Sequence, residues 1–400
     1  MIGIIKKTIV LLSISKGVYE NLYRSFPLLC LILIPCFYTF IIYPFYGDEQ
    51  LYQWFALENT FFWIVVFFSF LLFSKIKINF KLKTSYSYSF GFLLIISFLF
   101  LFLLISYIFL NVVFLGWSGF FSTCHYCGPT PFGGDGLRNI ILFDLGTVFI
   151  LMLPFYSIYF KKKKVFLLLS YLCAMLILYY FFVGSYRNQI LPIITQWALI
   201  FIFMFRAKKI LFTLFLCLSP IAAIAMAFFH YFGGGKTSTD LSLYDYFALN
   251  EFYSNYNNFK IYNFGFTLDL PFPGASYIGP LLHRLSSFID TGFKTSASQM
   301  ATYMSDGIGY GFSPLLEGLL NFGDLYFVAA VIISFTLFLI YFLIRNATSD
   351  LMALTYLSLF IFFVYNINRV DYTAAFNIFF HKTIICAIFF FLFSRQTIRE

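Results

Sequence analysis

Charge is what this sequence has least of. Of its 400 residues only 11% are charged, less than half of the roughly 25% found in an ordinary soluble domain. That shortage excludes a conventional water-facing globular surface. A disulfide framework is absent too: of seven cysteines, Cys30, Cys36, Cys173, Cys217 and Cys386 lie in apolar runs, where the thiol behaves as a small hydrophobe. The short loops on the lysine- and arginine-rich side contain no glycine-rich phosphate loop, which leaves no place for nucleotide chemistry on that side. The N-terminal lysines precede no cleavage-site pattern, so no removable signal peptide is expected.

What is there is apolar and aromatic. Hydrophobic residues make up 61% of the chain, with 61 Phe and 30 Tyr. A helix needs about 20 apolar residues to cross the hydrocarbon layer. Runs near that length cover 27–46, 54–73, 90–115, 139–160, 165–183, 187–205, 210–231, 324–344, 351–367 and 373–394. They are continuously apolar rather than alternating, which favours helices over a barrel. The expected fold is all-α: one polytopic domain over 1–400 with about ten spans. Residues 1–25 mix Ile4, Leu11 and Val18 with Lys6, Lys7 and Lys16, the pattern of an interfacial helix.

The net charge of +9 is a topology signal. Eighteen basic residues, among them Lys75, Lys161 to Lys164 and Arg345, fall on one side with only Glu20, Asp350 and Glu400 for company. The positive-inside rule therefore places both termini in the cytoplasm. These residues suit anionic lipid headgroups, and no nucleic-acid partner is needed to explain them. The polar mass left over is external: a loop at 116–138 and a large one over 232–323, containing short helices and too long to be structureless.

In the large loop Tyr244, Tyr246, Phe252, Tyr253, Tyr256, Asn257 and Asn258 alternate ring faces with amides. This pattern suits either sugar stacking or an interfacial aromatic belt. Ionisable groups gather at the outer span ends: Asp144, Arg187, His230, Arg284, Glu317, Asp324, Arg369 and Asp371. Such groups are costly near lipid and are functional candidates by default. Asp144 and Asp324 read better as ordinary snorkelling side chains. Arg187 sits in the tight connection Gly184-Ser185-Tyr186-Arg187-Asn188, where a guanidinium fork could face a phosphate. His381-Lys382 lies near the middle of the last span, where a lysine needs a partner or water. Cys124-His125-Tyr126-Cys127 offers too few ligands for a structural zinc, and no metal is expected there. An external disulfide or two free thiols is the preferred reading.

Two segments resemble a known family. The run Gly309-Tyr310-Gly311-Phe312-Ser313-Pro314-Leu315-Leu316-Glu317-Gly318-Leu319-Leu320-Asn321-Phe322-Gly323 is similar to the stretch before a late span in bacterial O-antigen polymerases of the Wzy type. Gly184-Ser185-Tyr186-Arg187 resembles that family's Gly-Ser-Arg stretch, with Tyr186 interposed. The family's Arg with Gly eleven positions on is missing, because Arg187 is followed there by Ala198 and Arg284 by Thr295. The resemblance implies a multi-pass enzyme of the bacterial inner membrane, with its large loop periplasmic. It would transfer a growing glycan from undecaprenyl diphosphate to a lipid-linked repeat unit, with no cofactor. Its partners would be undecaprenyl-diphosphate-linked oligosaccharide and membrane lipids, together with a chain-length regulator and a flippase. Leaving-group charge calls for arginines, which assigns the diphosphate to Arg187 and Arg369, with Arg284 a further candidate. The acceptor hydroxyl calls for a base, either Glu317 or His283; Arg284 beside it completes the catalytic set. A glycan ligase would share this architecture, and a flippase would use Asn377, His381 and Lys382 as a translocation lining.

Overall fold

The computed structural model describes residues 16–76, 90–121, 131–184, 186–204, 253–278, 296–304, 312–347, 349–368 and 370–394. In chain order the helices are α1 (Lys16–Phe40), α2 (Tyr43–Tyr46), α3 (Gln50–Ser74), α4 (Phe90–Phe120) and α5 (Gly134–Arg138). A π-helical segment, Asn139–Gly146, leads into α6 (Thr147–Tyr159), followed by α7 (Lys164–Val183) and α8 (Arg187–Met204). Then come α9 (Tyr253–Asn263), α10 (Ser296–Met304), α11 (Pro314–Phe322), α12 (Phe327–Arg345), α13 (Asp350–Ile367) and α14 (Tyr372–Ser394). No strand occurs among the described residues, so the architecture is all-α, as hydrocarbon solvent demands of continuous apolar runs.

Eight helical stretches among the described residues are long and apolar enough to cross a membrane: Pro27–Tyr46, Gln50–Ser74, Gly91–Phe120, Gly134–Tyr159, Lys164–Val183, Phe327–Arg345, Asp350–Ile367 and Tyr372–Leu392. The protein is therefore a multi-pass membrane protein. The run expected over 187–205 forms α8, whose apolar part, Gln189–Ile200, is shorter. The run over 210–231 lies outside the described residues. Lys16–Arg24 opens α1, which continues without a break into the first span, while residues 1–15 of the expected interfacial helix lie outside the described residues.

The chain divides into two compact units. The first comprises Met1–Ile78, Ser238–Asn346 and Leu359–Phe379. Its centre is the pairing of α3 with α12, in which the Ser334 hydroxyl donates to the carbonyl of Val66 (2.9 Å). Phe70 packs edge-on against Tyr341 at 5.4 Å. Arg345 donates from Nη1 to the carbonyl of Ser74 (2.9 Å), so α3 and α12 finish at one level, beside Lys75. Thr39 joins α1 to α3: its hydroxyl accepts from Asn59 Nδ2 (2.8 Å) and its carbonyl from the Tyr52 hydroxyl (2.6 Å). Hydrogen bonds of this kind fix which faces meet when lipid offers no hydrophobic preference between them.

The second unit comprises Asn79–Thr237, Ala347–Ser358 and Phe380–Glu400. Its centre is α6, where every side chain from Thr147 to Leu153 is buried. A helix apolar all round is an interior one, and α4, α7 and α8 pack against this one and its π-helical start. Gln196 reaches in from α8, donating to the carbonyl of Leu151 (2.8 Å) and to the Thr355 hydroxyl (2.7 Å).

Candidate functional site

The site begins with a helix start. Ser313 caps α11, its hydroxyl accepting from the Leu316 N–H (3.1 Å), and Pro314 takes the first helical position. Proline is favoured there because the missing N–H would be unbonded anyway. The cap orients one turn so that Leu315 and Leu316 are buried and Glu317, only 1% exposed, turns inward with them. The helix stops at Gly323, whose φ of +57° suits a residue without Cβ.

Glu317 has partners from two other elements of the first unit. Its Oε1 accepts from the Ser296 hydroxyl of α10 (3.2 Å), and its Oε2 from the Tyr372 N–H at the start of α14 (2.6 Å). That helix start carries a second carboxylate, Asp371, which caps α14 by accepting from the Ala374 N–H (2.7 Å). Exposed N–H groups at a helix N-terminus favour negative charge, yet here they face two carboxyl groups. Burial, and then the neighbouring Asp371 charge, push Glu317 up to about 8; the Tyr372 N–H and nearby serine hydroxyls oppose the shift. A carboxyl so placed can exchange a proton near neutrality, which is what acid–base work needs.

The remaining motif residues hold this arrangement. Asn321 donates to the carbonyl of Glu317 (2.7 Å) and accepts from the Ser276 N–H (3.4 Å), tying α11 to the turn over 274–277. Phe322 stacks on Tyr277 at 5.7 Å, and Tyr277 packs against Tyr372 at 4.9 Å. The carbonyl of Ser276 accepts from the Thr373 hydroxyl (2.8 Å). Tyr277 is buried and its hydroxyl finds no hydrogen-bond partner among the described residues. Burial and the Glu317 charge push that phenol well above its usual range, so it stays neutral. Nothing in the sequence around Tyr277 signals this role.

Gly318 shows how closely α11 is docked. A Cβ there would come within 3.0 Å of the Tyr326 carbonyl oxygen and 3.1 Å of Ala329 Cβ. We expect Gly318→Ala to cost about 1–3 kcal/mol as an overpacked contact, read as a lowered midpoint of thermal unfolding in detergent. An unchanged midpoint would show that α11 is free to shift.

The other expected site residues fare differently. Arg187 opens α8, but its side chain lies outside the described residues, as do His283, Arg284, Arg369 and the Cys124–Cys127 segment. The turn before Arg187 is held by Tyr186, stacked on Tyr180 at 5.3 Å and against Phe143 at 4.6 Å. A Cβ on Gly184 would meet the Tyr186 ring at 2.1 Å, which explains the glycine in that stretch.

Two expectations are corrected. Asp144 does not snorkel; it accepts from Lys382 Nζ at 3.1 Å and pairs with His381 Nδ1 at 2.8 Å. Asp144 lies in the π-helical segment, the kind of local widening often found at functional positions. Second, Tyr256 offers no ring face to a sugar. It is fully buried, packs on Tyr52 at 5.1 Å, and its hydroxyl donates to Glu49 Oε2 (2.5 Å). Lys260 pairs with the same oxygen at 3.0 Å. Here α9 of the large loop is clamped onto the start of α3.

Comparison with family models, with curated proteins and with solved structures gives no match for this chain.

Proposed function

We propose that this protein is a membrane glycosyltransferase of the repeat-unit polymerase type, working at the outer face of a bacterial inner membrane. The observation that carries the reading is Glu317, a buried carboxyl pushed up to about 8 within the segment that resembles the polymerases. The charge asymmetry of the loops places the end marked by Lys75 and Arg345 in the cytoplasm, and hence Glu317 outside. In the reaction Glu317 takes the proton from the acceptor hydroxyl. The new glycosidic bond forms at the anomeric carbon as its bond to the diphosphate breaks. Tyr277 supplies a neutral hydroxyl beside the carboxyl. Arg187 and Arg369, with Arg284 as a further candidate, hold the departing diphosphate, since a guanidinium matches phosphate oxygens in pairs.

A transporter would draw support from His381 and Lys382 inside the last span. Lys382 is paired with Asp144 within the bundle, so its charge has a partner without a hydrated lining. A ligase shares the chemistry and differs in the acceptor.

The test is the glycan profile of a strain lacking the gene. A polymerase leaves single capped repeats, a ligase leaves uncapped core, and a flippase leaves lipid-linked units trapped inside. Complementation with Arg187→Ala is expected to restore membrane insertion but not long chains. Normal chain-length ladders from that variant would remove Arg187 from the mechanism.

A further inference from the structure

Apart from the Glu317 cluster, the first unit has an open groove of about 650 Å³ beside α3, within the size range of ligand clefts. Phe40, Tyr43, Phe61 and Ile64 contribute apolar walls, and Gln53, Glu58, Thr60 and Tyr326 its polar lining. Apolar walls on a membrane helix need no occupant beyond ordinary lipid. The carboxylate in its lining is what sets this groove apart.

Glu58 is half-buried. It accepts from the Tyr326 hydroxyl (2.5 Å) and from the Trp54 indole N–H (3.3 Å). Both donors are neutral, and none of the ion pairs among the described residues includes Glu58. Its carboxylate is thus held in place by two aromatic side chains, with no cation paired to it among the described residues. Tyr326 directly precedes the span Phe327–Arg345, at the end away from Arg345, and Tyr43 lies near the end of the span Pro27–Tyr46. Glu58, bonded to Tyr326, therefore lies level with the start of the span Phe327–Arg345, and Phe61 and Ile64 follow it along α3.

We propose that this groove is a binding site for a bilayer phospholipid with a primary-ammonium headgroup. Its N–H donors meet Glu58, the exposed Tyr43 hydroxyl faces the phosphate ester, and one acyl chain lies along Phe61 and Ile64. Each carboxylate oxygen has a second acceptor site beyond its present bond, so the ammonium adds to the Tyr326 and Trp54 contacts without displacing them. A diphosphate-linked polyprenol is the wrong occupant, because Glu58 repels its headgroup. A quaternary ammonium has no N–H to donate. The site goes beyond the polymerase reading and does not depend on it.

The experiment measures lipid retention by native mass spectrometry after reconstitution of the full-length protein in nanodiscs. These contain equal parts of phosphatidylethanolamine, phosphatidylglycerol and phosphatidylcholine. We expect wild type to retain phosphatidylethanolamine about tenfold over the other two, a factor set by one charge-assisted contact of about 1.4 kcal/mol. Glu58→Gln should bring the ratio to about one, by loss of that contact. Ile64→Trp, which fills the groove and leaves Glu58 intact, should lower bound lipid of every class and covers the case in which the first variant fails to fold. Equal retention of the three lipids by wild type would overturn the proposal. So would an unchanged ratio in Glu58→Gln, or displacement of phosphatidylethanolamine by added polyprenyl phosphate.

Discussion

Glu317→Gln is expected to lower the rate of glycan polymerisation by about 10²–10⁴-fold, the usual contribution of a positioned general base. The substitution keeps the shape of the side chain and its contact with the Tyr372 N–H, but it cannot take a proton. The pH dependence supplies an independent readout. A base must be ionised, and the carboxyl here holds its proton up to about 8. The wild-type rate should therefore rise with pH through about 8 and level off above it, and the residual rate of the variant should lack that limb.

Stability moves the other way. Between the ordinary carboxyl range and about 8 the folded protein binds a proton that the unfolded chain has released, so folding stability falls as pH rises through this window. An uncharged glutamine escapes this loss. Glu317→Gln should then unfold at a higher temperature than wild type at pH values above about 8, while being the poorer enzyme. This trade is common at sites strained for function. A carboxyl that merely knits α10, α11 and α14 together predicts something else: little change in rate per folded molecule, and no pH limb to lose. That result would take Glu317 out of the chemistry.

Asp144→Ala and Lys382→Ala should each destabilise the second unit by about 3–5 kcal/mol, because each removes one member of a buried ion pair. Lys382 is only 1% exposed, and its Nζ donates to Asp144 Oδ1 at 3.1 Å. Replacing both, as Asp144→Leu with Lys382→Met, should recover most of the loss, since buried ion pairs rarely outdo well-packed apolar side chains. Thermal unfolding in a fixed detergent, compared across the singles and the double, reads this directly. If the double is as unstable as the singles, the pair does more than satisfy its own charges, and the π-helical segment around Asp144 becomes the feature to pursue. Singles that unfold like wild type would show that water reaches Lys382 and that the pair is not buried in membrane.

Much of this architecture is legible without coordinates. The spans among the described residues follow from run length. The Gly-Ser-Tyr-Arg turn is visible as a tight connection, although the reason for its glycine, the Tyr186 ring folded over it, is not. Glu317 stands out as a carboxyl in an otherwise apolar stretch. Its partners do not: Ser296, Tyr277 and Tyr372 lie in segments with no local signal, and Tyr372 is 55 positions away.

The sequence by itself determined that this chain lives in a membrane, where its helices fall, and which ends carry the positive charge. These are consequences of composition and run length, and each is decided within about 20 residues. Only the tertiary structure decided that Asp144 meets His381 and Lys382, that Tyr256 faces inward, and that Glu317 meets the start of α14. The reason is physical. In a soluble helix an apolar stripe announces the buried face, but a helix apolar on every side offers lipid and protein the same surface. Which faces meet is then set by a few hydrogen bonds and close fits between distant residues, such as Ser334 on Val66 or Gln196 on Thr355. Those pairings are absent from any local pattern and appear only when the helices are packed.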